Sequence, residues 1–154
     1  VTASVECLDH RGTRSVWPKA ALDFGYRASR LKGQREWTVA SAELRLSRSE
    51  PAIESQLLEQ YAARRRARQP AGASAGSVFK NPVGDFAGRL IEAAGLKGRR
   101  VGGAVVSSQH ANFIVNEGDA CAADVLRLIE LIREEVQRQT GITLELEIEL
   151  IGEF

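Results

Sequence analysis

Methionine is absent from the 154 residues, and the chain opens on Val1. That missing initiator is read as the mark of a piece of a longer protein. Cysteine is nearly absent as well. Cys7 and Cys121 are the two in the chain, with no CxxC pair and no Cys/His cluster. A disulfide framework and a structural zinc site are therefore excluded as expectations, no metal is expected, and a reducing compartment fits better. No apolar run approaches the ~20 residues of a spanning helix. The opening residues alternate instead of forming a basic and then apolar leader, so no secretory signal is read. An excess of one charge is also lacking: 21 Lys+Arg stand against 20 Asp+Glu, a net charge of +1. This argues against a general nucleic-acid binder, which carries a basic excess. What is present is ordinary globular material, 44% hydrophobic and 27% charged, and enough chain to bury a core.

The order of patterns suggests an α+β protein. Residues 1–19 read as a hairpin, with turn chemistry at Asp9 to Gly12, and Trp37 to Leu46 reads as a strand. Between them, Phe24 to Ser29 has no period and reads as a loop. Composition shifts between Ser47 and Pro51, which sets the expected boundary: residues 1–48, then 49–154. Pro51, Ile53, Leu57, Leu58 and Tyr61 outline an amphipathic helix ending before Pro70. Ala71 to Gly76 is small and glycine-rich and reads as a loop. Asp85 is the expected N-cap of a helix from Phe86 to Ala94, closed by Gly95. Val101 to Val106 and Asn112 to Asn116 read as strands. Asp119 is the expected cap of a long helix carrying Val125, Leu128, Ile129, Ile132 and Val136, ended by Gly141. Thr143 to Ile151 alternates Leu144, Leu146, Ile148 and Leu150 against Glu145, Glu147 and Glu149, so it reads as a strand. Helices are expected to cover one face of the sheet.

Taken singly, the chemical candidates are weak. Arg64, Arg65, Arg66 and Arg68 lack interleaved aromatics, so a solvated helix face is expected in place of a nucleic-acid patch. Gly72, Gly76 and Ser77 have the wrong spacing for a nucleotide-triphosphate loop. Ser77 is not in a GxSxG context, and a hydrolase nucleophile needs a base beside it. Arg27, next to Tyr26, offers a planar fork suited to a carboxylate or phosphate.

Together they form a pattern. Gly76-Ser77-Val78-Phe79-Lys80-Asn81-Pro82, Ala87 to Gly98, Val101 to Ala104, Ser107 to His110 and Ala111 to Asn116 closely resemble the UDP-N-acetylenolpyruvoylglucosamine reductase family. Tyr26-Arg27-Ala28-Ser29 is similar to that family's Tyr-Arg-x-Ser element, and the resemblance runs over almost the whole chain. It implies a substrate-binding C-terminal domain with helices on a small sheet, preceded by the last strands of a flavin-binding α+β domain. It further implies a cytoplasmic enzyme of peptidoglycan synthesis, a monomer acting on a UDP-sugar without nucleic acid or membrane. In such an enzyme NADPH reduces FAD, and the flavin delivers hydride to the enolpyruvyl double bond, giving UDP-N-acetylmuramate.

Three catalytic positions carry over: Arg27, Ser77 and Glu147. Hydride addition next to a carboxylate leaves an enolate, and a fixed cation stabilises charge where it develops. That role falls to Arg27, with Glu147 as a protonated acid or orienting partner. An enolate carbon is basic enough to take a proton from serine, so Ser77 serves as general acid without a histidine. Tyr26, Lys80, Asn81, His110 and Asn112 are the expected substrate contacts. The short segment from Leu46 to Gly72 resembles a compact subgroup of the family. Glycine-rich flavin loops do not stand in this sequence, so its FAD-binding residues are left unassigned and the chain alone is expected to be inactive. A non-catalytic UDP-sugar-binding module is the alternative.

Overall fold

The computed structural model describes residues 1–152, in two compact units, Val1–Glu54 and Ser55–Phe154. In the first, β1 (Thr2–Leu8), β2 (Arg14–Pro18) and β3 (Thr38–Leu44) form an antiparallel sheet of order β2-β1-β3. The expected hairpin is present, and Asp9 makes its turn. Its Oδ1 accepts the N–H groups of Arg11 and Thr13, both at 2.8 Å, and the Thr13 bond leads in holding this carboxyl below the usual range. The core of this unit is small: Val5, Cys7 and Leu22, with Trp17 and Trp37 packed against it. The two indoles meet edge to face, ring centres 5.1 Å apart. β3 is exposed along its whole length.

The second unit holds most of α1 (Pro51–Arg68), then β4 (Ala73–Ser77), α2 (Ala87–Ala93), β5 (Arg100–Val101), β6 (Ala104–Val106), β7 (Phe113–Asn116) and α3 (Ala122–Thr140). Its strands pair antiparallel in the order β4-β7-β6-β5. The stripe Leu128, Ile129, Ile132 and Val136 buries α3 against Val106, Ile114, Leu90 and Ile91. Each such side chain contributes roughly 1.5–3 kcal/mol by leaving water. Gly141 ends α3 in the left-handed region, φ 74°, as its position after the periodic run requires. The unit is α+β, as read from the sequence.

Five local expectations change. Ala73–Ser77 is a strand, because pairing with β7 supplies what its small residues lack in propensity. Val101 to Val106 is two strands: Gly102 and Gly103 make a turn, and a Cβ on Gly103 would lie 2.3 Å from the Ala120 backbone nitrogen. The cap of α3 is Cys121, whose N–H donates to Oδ2 of Asp124 at 3.1 Å; Asp119 is not the cap. The N-cap of α2 is Phe86, one residue beyond Asp85, whose carboxylate receives the Phe86 N–H and grips Arg89. Finally, Thr143 to Ile151 is not a regular strand. It forms one antiparallel bridge, Leu146 opposite Phe79; Leu144 is buried and Glu145 exposed as the alternation implied, but Glu147 is half-buried and Leu150 exposed, against it.

Candidate functional site

Ser77 ends β4, opposite Phe113 at the start of β7, and a register shift separates it from Ser74. The residue before it, Gly76, has φ 82°, a conformation that costs an L-residue about 1–2 kcal/mol. The following residues run beside the tail of the domain. Lys80 N–H donates to Glu145 O at 2.8 Å, and Glu147 N–H donates to Val78 O at 2.8 Å. These two bonds hold Glu147 alongside the residue next to Ser77, although the two lie far apart in sequence. Phe79 and Leu146 between them face the core and fix the register. Ser77 and Glu147 are both half-buried.

Lys80 turns its Nζ to Oε2 of Glu145 at 3.0 Å. Asn81 uses its Oδ1 to accept the Ala87 N–H at 3.1 Å, which ties this loop to the first turn of α2. His110 receives the Asn112 N–H on Nδ1 at 3.3 Å and stacks edge-on against Phe113, ring centres 4.9 Å apart. Asn112 is 4% exposed, and both ends of its amide bind the Phe79 backbone, at 2.9 and 2.8 Å. The hydrogen-bonding groups of Asn112 thus face the interior in this structure. Glu145, exposed in the alternating row, was missed as a partner for Lys80; the signal was that row itself.

Arg64, Arg65, Arg66 and Arg68 are exposed, as expected of a solvated helix face. Arg65 and Arg66 line a groove of about 580 Å³ with Gln69, Ser74, Gly76 and Gln109. Arg65 Nε donates to Oε1 of Gln69 at 2.9 Å, and Gln109 Nε2 donates to Ala67 O at 3.0 Å, closing the end of the helix onto the loop before β7. Among the described residues, no Asp or Glu lines this groove.

In the first unit, Tyr26 and Arg27 occupy the tip of a tight turn. Gly25 and Ala28 exchange hydrogen bonds at 3.0 and 3.3 Å across it. Arg27 adopts φ 54°, in the left-handed region, where a non-glycine residue is uncommon and worth a functional question. Its guanidinium lies 5.8 Å from the centre of the exposed Tyr26 ring.

A flavin dinucleotide needs backbone N–H groups turned outward around its diphosphate. In this unit Gly12 N–H is bound by Asp9 O and Gly25 N–H by Ala28 O, both at 3.0 Å, closing their own turns. Gly12 and Gly25 therefore offer no free N–H group to such a cradle.

Fold and site together define an α+β domain that displays a Ser-x-x-Lys-Asn element from a strand end. Residues 68–151 match the family model for UDP-N-acetylenolpyruvoylglucosamine reductase, C-terminal domain. The chain belongs to that family. It is 52% identical to the UDP-N-acetylenolpyruvoylglucosamine reductase of Moorella thermoacetica, over 99% of this chain and 50% of that protein. It is 49% identical to the one from Chloroflexus aggregans, over 97% of this chain and 53% of that protein. The crystal structure of UDP-N-acetylenolpyruvylglucosamine reductase from Thermus caldophilus superposes with a TM-score of 0.81 at 41% identity, covering 96% of this chain and 52% of that one. The chain thus spans about half the length of the relatives it matches. Among the described residues, no helix is long and apolar enough to cross a membrane.

Proposed function

We propose that this chain is the substrate-handling part of a reductase that converts the enolpyruvyl ether of UDP-N-acetylglucosamine to UDP-N-acetylmuramate, in cytoplasmic peptidoglycan synthesis. The observation that carries the reading is the pair of backbone bonds setting Glu147 beside the Ser77–Lys80 element, in a chain that belongs to the family. In the whole enzyme a bound FAD, reduced by NADPH, would supply the hydride chemistry, and none of the residues that would hold it is assigned in this chain. The chain's own residues handle charge and proton. Arg27 faces the substrate carboxylate, so the negative charge developing there meets a fixed cation. Ser77 gives its hydroxyl proton to the enolate carbon, and the resulting alkoxide recovers a proton from water. Glu147, beside the Ser77–Lys80 element, is the acid or orienting partner. Lys80 and Asn81 contact the diphosphate or sugar, and Tyr26 is a further substrate contact of the first unit.

The test is Ser77→Ala in the full-length reductase. The reading expects turnover to fall by at least 100-fold, with UDP-sugar affinity within about threefold of wild type, in the range for loss of a general acid. Unchanged turnover overturns the Ser77 assignment and leaves a binding module.

A further inference from the structure

The β4–β7 ladder makes its last backbone pairing at Ser77 and Phe113. Phe79 lies past that rung, yet its main chain is fully paired. Asn112 Oδ1 accepts the Phe79 N–H at 2.9 Å, and Asn112 Nδ2 donates to the Phe79 C=O at 2.8 Å. A primary amide presents the same acceptor and donor as a peptide group. The asparagine side chain thus replaces the peptide that a longer β7 would have supplied. Its own main chain adds another bond, Val78 N–H to Asn112 O at 2.9 Å. From the opposite edge, Glu147 N–H reaches Val78 O and Glu145 O receives Lys80 N–H. Every backbone polar group of Val78 and Phe79 is therefore held, on one side by Asn112 and on the other by the tail bearing Glu147.

We propose that Asn112 is a positioning residue for the reaction: its amide fixes Phe79, and through Phe79 the placement of Ser77 relative to Glu147. The inference rests on the reading of Ser77 as proton donor. A general acid must lie within about 2.6–3.2 Å of its target, and a 1 Å displacement costs on the order of 100-fold in rate.

The decisive variant is Asn112→Asp in the full-length reductase. An ionised carboxylate accepts the Phe79 N–H but opposes the Phe79 carbonyl. A protonated one restores the missing donor, and burial raises the pH at which that proton is held. The turnover of Asn112→Asp relative to wild type is expected to rise at least tenfold between pH 8 and pH 5.5, while the ratio of KM values for the UDP-sugar stays within threefold. Asn112→Ala, with no donor to restore, is expected to stay low throughout. A pH-independent ratio for Asn112→Asp, or a matching rescue of Asn112→Ala, overturns the proposal. Amide exchange in the wild type reads the clamp independently of activity and of any variant's folding. The Phe79 amide is expected to exchange as slowly as the buried face of α3, and exchange at exposed-loop rates overturns the proposal. Ser77→Ala run in parallel separates the two readings: if it turns over normally the proton-donor role fails, whatever the exchange at Phe79 shows.

Discussion

Lys80 and Glu145 are joined twice, by a 3.0 Å ion pair between their side chains and a 2.8 Å hydrogen bond between their backbones. The lysine side chain is 30% exposed and the glutamate 74%. A ligand phosphate that takes Lys80 must draw it away from this carboxylate. An exposed pair of this kind is worth about 0.2–1 kcal/mol, a factor of roughly 1.4 to 5 in affinity. Glu145→Gln is therefore expected to tighten UDP binding by that factor, and Lys80→Ala to weaken it at least tenfold. Calorimetric titration with UDP checks both; weaker binding in Glu145→Gln would place the diphosphate elsewhere.

Acid should expose two other carboxylates. The Arg89 guanidinium beside Asp85 lowers that carboxyl from 3.8 to about 2. Arg138, and after it Gln139, lower Glu135 from 4.5 to about 2. Both values are depressed on folding, so the unfolded chain binds more protons between about pH 2 and 4.5. The stabilisation is complete above the unfolded values and disappears as pH falls through about 2. Melting temperature is expected to drop across that window, and less steeply in Asp85→Asn and Glu135→Gln. Equal slopes in the variants would show that these pairs contribute nothing to acid stability.

Two glycines of the second unit should respond differently to alanine. At Gly76 nothing lies within 4 Å of an added Cβ, so the cost is the left-handed backbone alone, about 1–2 kcal/mol. At Gly103 the added atom meets the Ala120 nitrogen at 2.3 Å, and main chain must move. Denaturant titration should therefore find Gly103→Ala the more destabilised of the two. The reverse order would mean the hairpin yields easily.

The N–H groups of Gly12 and Gly25 are spent on closing their own turns. Purified alone, the 154-residue chain is expected to show no stoichiometric flavin absorbance near 450 nm, the region where flavins absorb. A yellow one-to-one complex would require a cradle among residues other than Gly12 and Gly25.

Much of this was legible in the sequence where local pattern and tertiary demand agree. The apolar stripe of α3 and its terminal Gly141 needed only helical periodicity, and Pro51 opens α1 as its fixed φ allows. Ala73–Ser77 was not legible, because its small residues become a strand only through a partner some 40 positions later. The alternation marks the burial of Leu144 against Glu145 but fails beyond it, where Glu147 is half-buried and Leu150 exposed, and burial does not by itself create a ladder. At the site, the Ser77–Asn81 element could be read from its residues. The use of Asn112 could not, since the backbone it binds is 33 residues away and its side chain resembles any polar contact until that partner is known.

Both tryptophans of the chain, Trp17 and Trp37, sit edge to face in the small core of the first unit, and the second unit contains none. Indole emission and its coupled near-ultraviolet dichroism therefore report on Val1–Glu54 alone. Far-ultraviolet ellipticity is instead governed by α1 and α3, the two long helices among the described residues. The molecule carries a built-in optical label that follows one half by light emission while the other is followed by its helices, with no dye or engineered probe.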